Sequence, residues 1–164
     1  GLLANQAMTY FATGANPPRM GNAHAQVSAY GVFPTQTGPV VLAPANDGLF
    51  RKLLTLLGRD DLLSEDRFAT NAGRIAHRAE IDALIATETA NWDREALLAA
   101  CAEAGVPAGP INDLETVFAD PQVEARGMAI EADGVPGIRS PFQFSDAELS
   151  LDHPSPRQGN LDPD

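Results

Sequence analysis

The sequence predicts an α+β fold: a small antiparallel sheet surrounded by helices, with a linker helix at the N-terminus and an extended tail at the C-terminus. Three observations carry this expectation. Gln26–Phe33 is rich in β-formers, and the turn composition Pro34-Thr35-Gln36-Thr37-Gly38 links it to the apolar run Val40-Val41-Leu42-Ala43, which together reads as a hairpin. From Asp47 to Gly105 apolar residues recur three and four apart, the period of helices packed by one face. Beyond Ser145 the chain turns polar and proline-rich and reads as a tail.

The totals narrow the function classes. A chain of 164 residues with 44% hydrophobic and 20% charged residues is long enough to bury a core. Its formal charge of -11 leaves no basic face for nucleic acid or for an anionic membrane surface, so neither is an expected partner. The single cysteine, Cys101, excludes an internal disulfide and any multi-cysteine metal site, and fits a reducing, cytoplasmic compartment. No stretch is apolar enough to span a bilayer, and no signal peptide is present. The chain opens on Gly1, already in an apolar pattern, which reads as an internal start of a longer protein.

Taken in order, Leu2–Ala12 reads as a helix ended by Gly14 and Asn16-Pro17-Pro18. After the hairpin, a helix runs from Asp47 to about Leu57 on Phe50, Leu53, Leu54 and Leu57, and stops at Gly58. Asp60–Phe68 is a connector with a charged surface turn. Thr70 or Asn71 caps a long helix to about Trp92, with Ile75, Ile81, Leu84 and Ile85 on its buried side and Arg74, Arg78 and Glu88 elsewhere. Asp93 caps the next helix, whose buried stripe is Leu97, Leu98 and Cys101, ending at Gly105. Val106–Ile111 is an extended crossing, because Pro110 removes a donor. Asn112 or Asp113 starts a short helix and Asp120-Pro121 another. Met128–Ala132 alternates like a strand, Gly134–Gly137 reads as a turn, and Ile138–Phe144 as extended chain.

The polar chemistry gathers in two loops, Gly21–His24 and Asn46–Gly48. His24, in a Gly-Asn-Ala-His loop, has two readings: a turn histidine bonded to a local carbonyl, or a recognition group. Asp47 is by type a helix cap or a general base. Asn46-Asp47-Gly48 also offers backbone N–H groups at a helix start, a corner suited to a carboxylate or phosphate. Cys101 on its apolar stripe reads as core packing rather than nucleophile. His77 reads as solvated, and His153 lies in the tail. No HxH, HExxH or other ligand spacing supports a metal, and no GxGxxG, P-loop or GxSxG is present.

Seven runs together resemble the class III CoA-transferase family, which includes formyl-CoA and carnitine CoA-transferases and α-methylacyl-CoA racemases. They are Arg19-Met20-Gly21-Asn22-Ala23-His24, Tyr30-Gly31-Val32-Phe33-Pro34, Asn46-Asp47-Gly48, Asp66-Arg67-Phe68-Ala69-Thr70-Asn71, Gly105-Val106-Pro107-Ala108-Gly109-Pro110-Ile111, Asp120-Pro121-Gln122-Val123 and Ser140-Pro141-Phe142. Their order and spacing cover almost the whole chain.

The resemblance implies that the chain is the small-domain portion of such an enzyme. On that reading residues 1–20 lead in from a large CoA-binding domain, 21–140 form the α+β small domain, and 141–164 return toward the large domain. It implies an acyl-CoA thioester and a carboxylic acid as substrates, no covalently bound cofactor, and an interlocked homodimer. The family's nucleophilic Asp, which forms an aspartyl anhydride and then an aspartyl-CoA thioester, falls a few residues before the position matched by Gly1. The fragment alone is therefore expected to be inactive, with no catalytic residue of its own. By analogy Asn22 and His24 touch the acid substrate, Tyr30 shapes the wall, and Asn46 and Asp47 complete the substrate-binding set. The racemase branch has an acidic residue at about the position of Asp47, but Asn46-Asp47-Gly48 has the transferase form. A binding module without chemistry is the reading outside the family.

Overall fold

In the computed structural model, which describes residues 3–155, the chain begins with helix α1 (Ala4–Thr13), closed by Gly14 in the left-handed region. None of its residues is buried, and Leu3, Met8 and Phe11 are 73, 64 and 74% exposed. The chain divides into two compact units, one ending at Ile111 and one beginning at Asn112.

In the first unit, β1 (Gly31–Phe33), β2 (Val40–Leu42) and β3 (Ala108–Pro110) form an antiparallel sheet in the order β1-β2-β3. Val32 stands opposite Val41, and Val41 opposite Gly109. The central strand β2 buries Val40 and Leu42 completely and leaves Val41 half-buried. The apolar run at 40–43 therefore marks the middle of the sheet, and the Val106–Ile111 crossing supplies its third strand. Pro110 is tolerated because β3 is an edge.

Helix α2 (Asp47–Leu56) starts at Asn46, whose side chain accepts from the Leu49 N–H at 2.9 Å, and buries Phe50, Leu53 and Leu54. Each such burial contributes about 1.5–3 kcal/mol. The connector is more ordered than its composition suggests. It forms a 3-10 turn at Asp60–Ser64 and helix α3 (Asp66–Ala69), which bury Leu62 and Phe68. Helix α6 (Arg94–Ala104) is capped by Asp93 as expected, and buries Leu97 and Cys101.

Three expectations fail in this unit, two of them in one helix. The long helix from residue 70 to 92 is two helices, α4 (Asn71–Ala76) and α5 (Arg78–Thr89). The break is at His77, with φ -116° and ψ 28°, where the imidazole Nδ1 lies 3.0 Å from the Gly73 carbonyl that the His77 N–H also uses. A side chain competing for a ladder carbonyl is a recognised cause of a kink. The burial pattern is also corrected: Ile75 is 38% exposed, while Arg74, expected off the side that carries Ile75 and Ile81, is fully buried.

The first strand is shorter than the Gln26–Phe33 span, because residues 24–30 form a loop whose backbone groups are held by side chains, as described below. In the second unit, α7 (Leu114–Phe118) is capped by Asp113, and α8 (Pro121–Ala125) by Asp120 with Pro121 at its first turn. Strands β4 (Ala129–Ala132) and β5 (Val135–Ile138) pair through Asp133-Gly134. Both of those residues have positive φ (49° and 75°), the signature of a two-residue hairpin turn. The turn is thus at 133–134, and residues 135–137, expected within it, are strand.

Candidate functional site

The loop from Gly21 to Tyr30 is tied down from three directions. Its own ends meet where the His24 N–H donates to the Tyr30 carbonyl at 3.0 Å, and the two rings stack with centroids 4.9 Å apart. The Gln26 N–H donates to His24 Nδ1 at 3.1 Å. With Nδ1 accepting, the neutral imidazole carries its proton on Nε2. The Gln26 side-chain amide donates to Thr9 Oγ1 of α1 at 2.9 Å.

The third direction is α4. Asn71 at its start donates from Nδ2 to the Gln26 carbonyl (2.9 Å) and accepts the Ser28 N–H on Oδ1 (3.2 Å). Arg74, one turn on, donates from Nε to the Ser28 carbonyl at 2.7 Å and from a terminal nitrogen to the Phe68 carbonyl at 2.9 Å. Its other terminal nitrogen pairs with Asp47 Oδ1 at 2.6 Å, and the guanidinium lies 4.1 Å above the Phe50 ring. The Arg74 side chain is fully buried, whereas Asp47's is 45% exposed. These contacts explain the short first strand. The backbone groups of residues 26 and 28, which a β-ladder would use, are taken by side chains: the Gln26 N–H by His24, the Gln26 carbonyl and Ser28 N–H by Asn71, and the Ser28 carbonyl by Arg74.

The sequence-predicted site residues fall into three places. His24 lines a hollow of about 250 Å³ with Asn5, Gln6, Thr9, Ala23, Ala25 and Gln26, a wall made mostly of amides and a hydroxyl. Tyr30 supports that wall from behind by stacking on His24. Asn22, two residues earlier, lines a different hollow of about 500 Å³, against Val32, Phe33 and Asp82 of α5. Burial pushes the Asp82 carboxyl up, partly opposed by Arg78, and its Oδ1 is buried without a hydrogen-bond partner. Asn46 and Asp47 sit at the α2 start, where Asn46 fills the cap and Asp47 places a carboxylate against Arg74. An external anion at this corner would meet that carboxylate.

Arg74 and Asn71 are the residues sequence reasoning missed. A signal was present: Arg74, Ile81 and Ile85 stand at i, i+7 and i+11, one helical stripe, so a cation lay in line with buried isoleucines. Cys101 is buried as expected, and its thiol is pushed up by desolvation. Among the described residues no group of His, Cys, Asp and Glu is arranged to hold a metal ion, and no helix is long and apolar enough to cross a membrane.

Comparison with known proteins places this architecture. A succinate–glutarate CoA-transferase from Agrobacterium fabrum is 45% identical over 163 residues, which cover 96% of this chain and 41% of that protein. An acetyl-CoA:oxalate CoA-transferase from Acetobacter aceti is 32% identical over 157 residues, 96% of this chain and 39% of the relative. The crystal structure of a CaiB/BaiF family protein from Brucella suis superposes with a TM-score of 0.82 at 53% identity, over 96% of this chain and 42% of that one. The chain thus spans about two fifths of the length of each of these proteins. The family model described as CoA-transferase family III matches residues 1–161, and the chain belongs to that family.

Proposed function

We propose that the chain is the small-domain portion of an acyl-CoA:carboxylate CoA-transferase, and that its role is to recognise the acid substrate. Residues 1–20 lead in from the large domain, 21–140 form the small domain and 141–164 return. The observation that carries this reading is the His24 loop. It offers a neutral Nε2–H donor beside Asn5, Gln6, Thr9 and Gln26, a set suited to a carboxylate, and no nucleophile activated by a base.

In the complete protein the chemistry starts from an Asp a few residues before Gly1. Its carboxylate oxygen attacks the acyl-CoA carbonyl and expels the CoA thiolate, forming an aspartyl anhydride. The thiolate then attacks the aspartyl carbonyl, releasing the first acid and leaving an aspartyl-CoA thioester. The acceptor acid takes up the CoA by the reverse sequence. Small dicarboxylic acids are the substrate class, supported by the succinate, glutarate and oxalate in the names of the relatives. His24 contacts the acid and Tyr30 shapes the wall by stacking on it, while Asn22 lines a separate hollow and Asn46 and Asp47 form the α2 start. The complete enzyme is an interlocked homodimer, in which the exposed apolar residues of α1 are covered.

The racemase reading needs Asp47 as a base in contact with substrate. Its Oδ1 is instead committed to the buried Arg74, which favours the transferase. The test is direct. The coding DNA upstream of Gly1 is sequenced, and the complete protein and the 164-residue chain are each assayed with succinyl-CoA and glutarate. CoA exchange by the complete protein and none by the chain alone is the expected result. Exchange by the isolated chain, or an upstream frame without an Asp within about two helical turns, overturns the reading.

A further inference from the structure

We propose that Asn71 and Arg74 are positioning residues for substrate recognition: they hold the Gln26–Ser28 backbone so that His24 presents its Nε2–H to the acid. The proposal rests on the transferase reading for its substrate and on geometry for its mechanism.

The linkage runs through one residue. Gln26 uses its N–H to fix the acceptor nitrogen of His24, and its carbonyl is held by Asn71 Nδ2. Its side chain, bonded to Thr9, closes the same hollow that His24 lines. Both polar groups of the Gln26 peptide are therefore engaged, one by the recognition residue and one by α4. The Ser28 peptide is fixed in the same way, its N–H by Asn71 and its carbonyl by Arg74. Without these contacts nothing in regular secondary structure holds residues 24–29 in place. A released Gln26 peptide would free His24 Nδ1, and the ring could then carry its proton on either nitrogen. The recognition loop and its clamp are 43–46 residues apart in sequence but joined by three hydrogen bonds between 2.7 and 3.2 Å from α4 side chains.

The test uses the complete enzyme and variants of Asn71, since Arg74 is wholly buried and its loss endangers folding. Asn71→Ala removes both amide contacts. Asn71→Asp keeps the acceptor for the Ser28 N–H but loses the donor to the Gln26 carbonyl. Hydrogen exchange of the 22–30 segment and separate KM values for acid acceptor and acyl-CoA donor are measured. Asn71→Ala is expected to speed exchange across 22–30 about tenfold and to raise the acceptor KM by a similar factor, with the donor KM within about twofold of wild type. Asn71→Asp is expected to raise the acceptor KM as well, because His24 depends on Gln26 rather than on Ser28. A purely structural role would lower the amount of active enzyme, and so kcat, with both KM values unmoved; that result, or unchanged exchange, overturns the proposal. If the wild-type enzyme transfers no CoA, the transferase reading falls and exchange alone decides. Faster exchange in Asn71→Ala then supports the clamp, and unchanged exchange refutes it.

Discussion

Arg74→Met separates what the buried guanidinium contributes from what its stem contributes. Methionine keeps most of the apolar volume over Phe50 but leaves the Ser28 and Phe68 carbonyls without their donors. Each orphaned buried carbonyl costs about 1–3 kcal/mol. Part is offset because a buried cation is itself expensive to desolvate, so the net loss is about 2–4 kcal/mol. Asp47→Asn makes the complementary cut. A buried cation stripped of its counter-charge in a dry site loses about 3–5 kcal/mol, but Asp47 is 45% exposed and water reaches the gap, which reduces the figure to about 1–2 kcal/mol. With Arg74→Met already in place, Asp47→Asn should cost less than about 0.5 kcal/mol, leaving only the interaction with the helix N-terminus. Guanidinium unfolding followed by the fluorescence of Trp92, the single tryptophan, reads all four proteins of the cycle. Equal costs for Asp47→Asn in the two backgrounds would show that the pair is energetically uncoupled. A loss below about 1 kcal/mol for Arg74→Met would show that the two carbonyls do not depend on it. The ion pairs of Arg67 with Glu65 and Glu80 have both partners open to solvent and offer at most about 1 kcal/mol each.

His24→Ala in the complete enzyme should raise the KM of the acid acceptor or lower kcat, and steady-state kinetics with unchanged values would refute its contact with substrate. Asp82→Asn should raise the melting temperature at neutral pH. Burial raises the folded-state pKa of this acid, so its contribution to stability is present at low pH and is lost as pH rises through that value. The gain from Asn should accordingly fade in melts recorded below the carboxylate range, and a constant gain would contradict this. Cys101 should react with a thiol reagent at the rate of unfolding rather than of a free thiol, since it is buried and its thiol is pushed up by desolvation; rapid labelling in native buffer would refute its placement.

The parts of the fold set by local chemistry were legible in the sequence. Helix starts at Asn46, Asp93, Asp113 and Asp120 follow from side-chain oxygens that accept from N–H groups two or three residues on. The strand at 40–42 follows from an unbroken apolar run. Failures occurred where a distant residue decided the outcome. Residues 26–30 have strand composition, but side chains from α4 claim the Gln26 carbonyl and both backbone groups of Ser28. The turn at Asp133-Gly134 was a local signal that lost to the glycine and proline that follow it, although Asp-Gly is the stronger hairpin dipeptide. In the candidate site, His24 and Tyr30 stack with ring centroids 4.9 Å apart. Asn22 lines a different hollow, because a loop that places His24 against α1 turns the residue two positions earlier toward α5.

The segment that carries Asn71 and Arg74 is built around a glycine. A Cβ on Gly73 would strike the backbone carbonyl of Arg67, so only glycine lets the first turn of α4 pack against the end of α3. In that arrangement Thr70 caps the helix by accepting the Gly73 N–H at 3.2 Å. The tight junction then fixes where Asn71 and Arg74, on either side of Gly73, point: Asn71 toward the Gln26 and Ser28 backbone, and Arg74 between Ser28, Phe68 and Asp47. Arg67, whose carbonyl forms the stop, carries its own side chain outward to Glu65 and Glu80. The run from Asp66 to Arg74 therefore works as one unit: its outward arginine is solvated, its glycine permits the close approach, and its buried arginine carries that placement to the loop bearing His24. A charge pattern along this run shows two arginines of equal formal charge. The packing distance at Gly73, with the stripe that aligns Arg74 with Ile81 and Ile85, tells which of them lies inside.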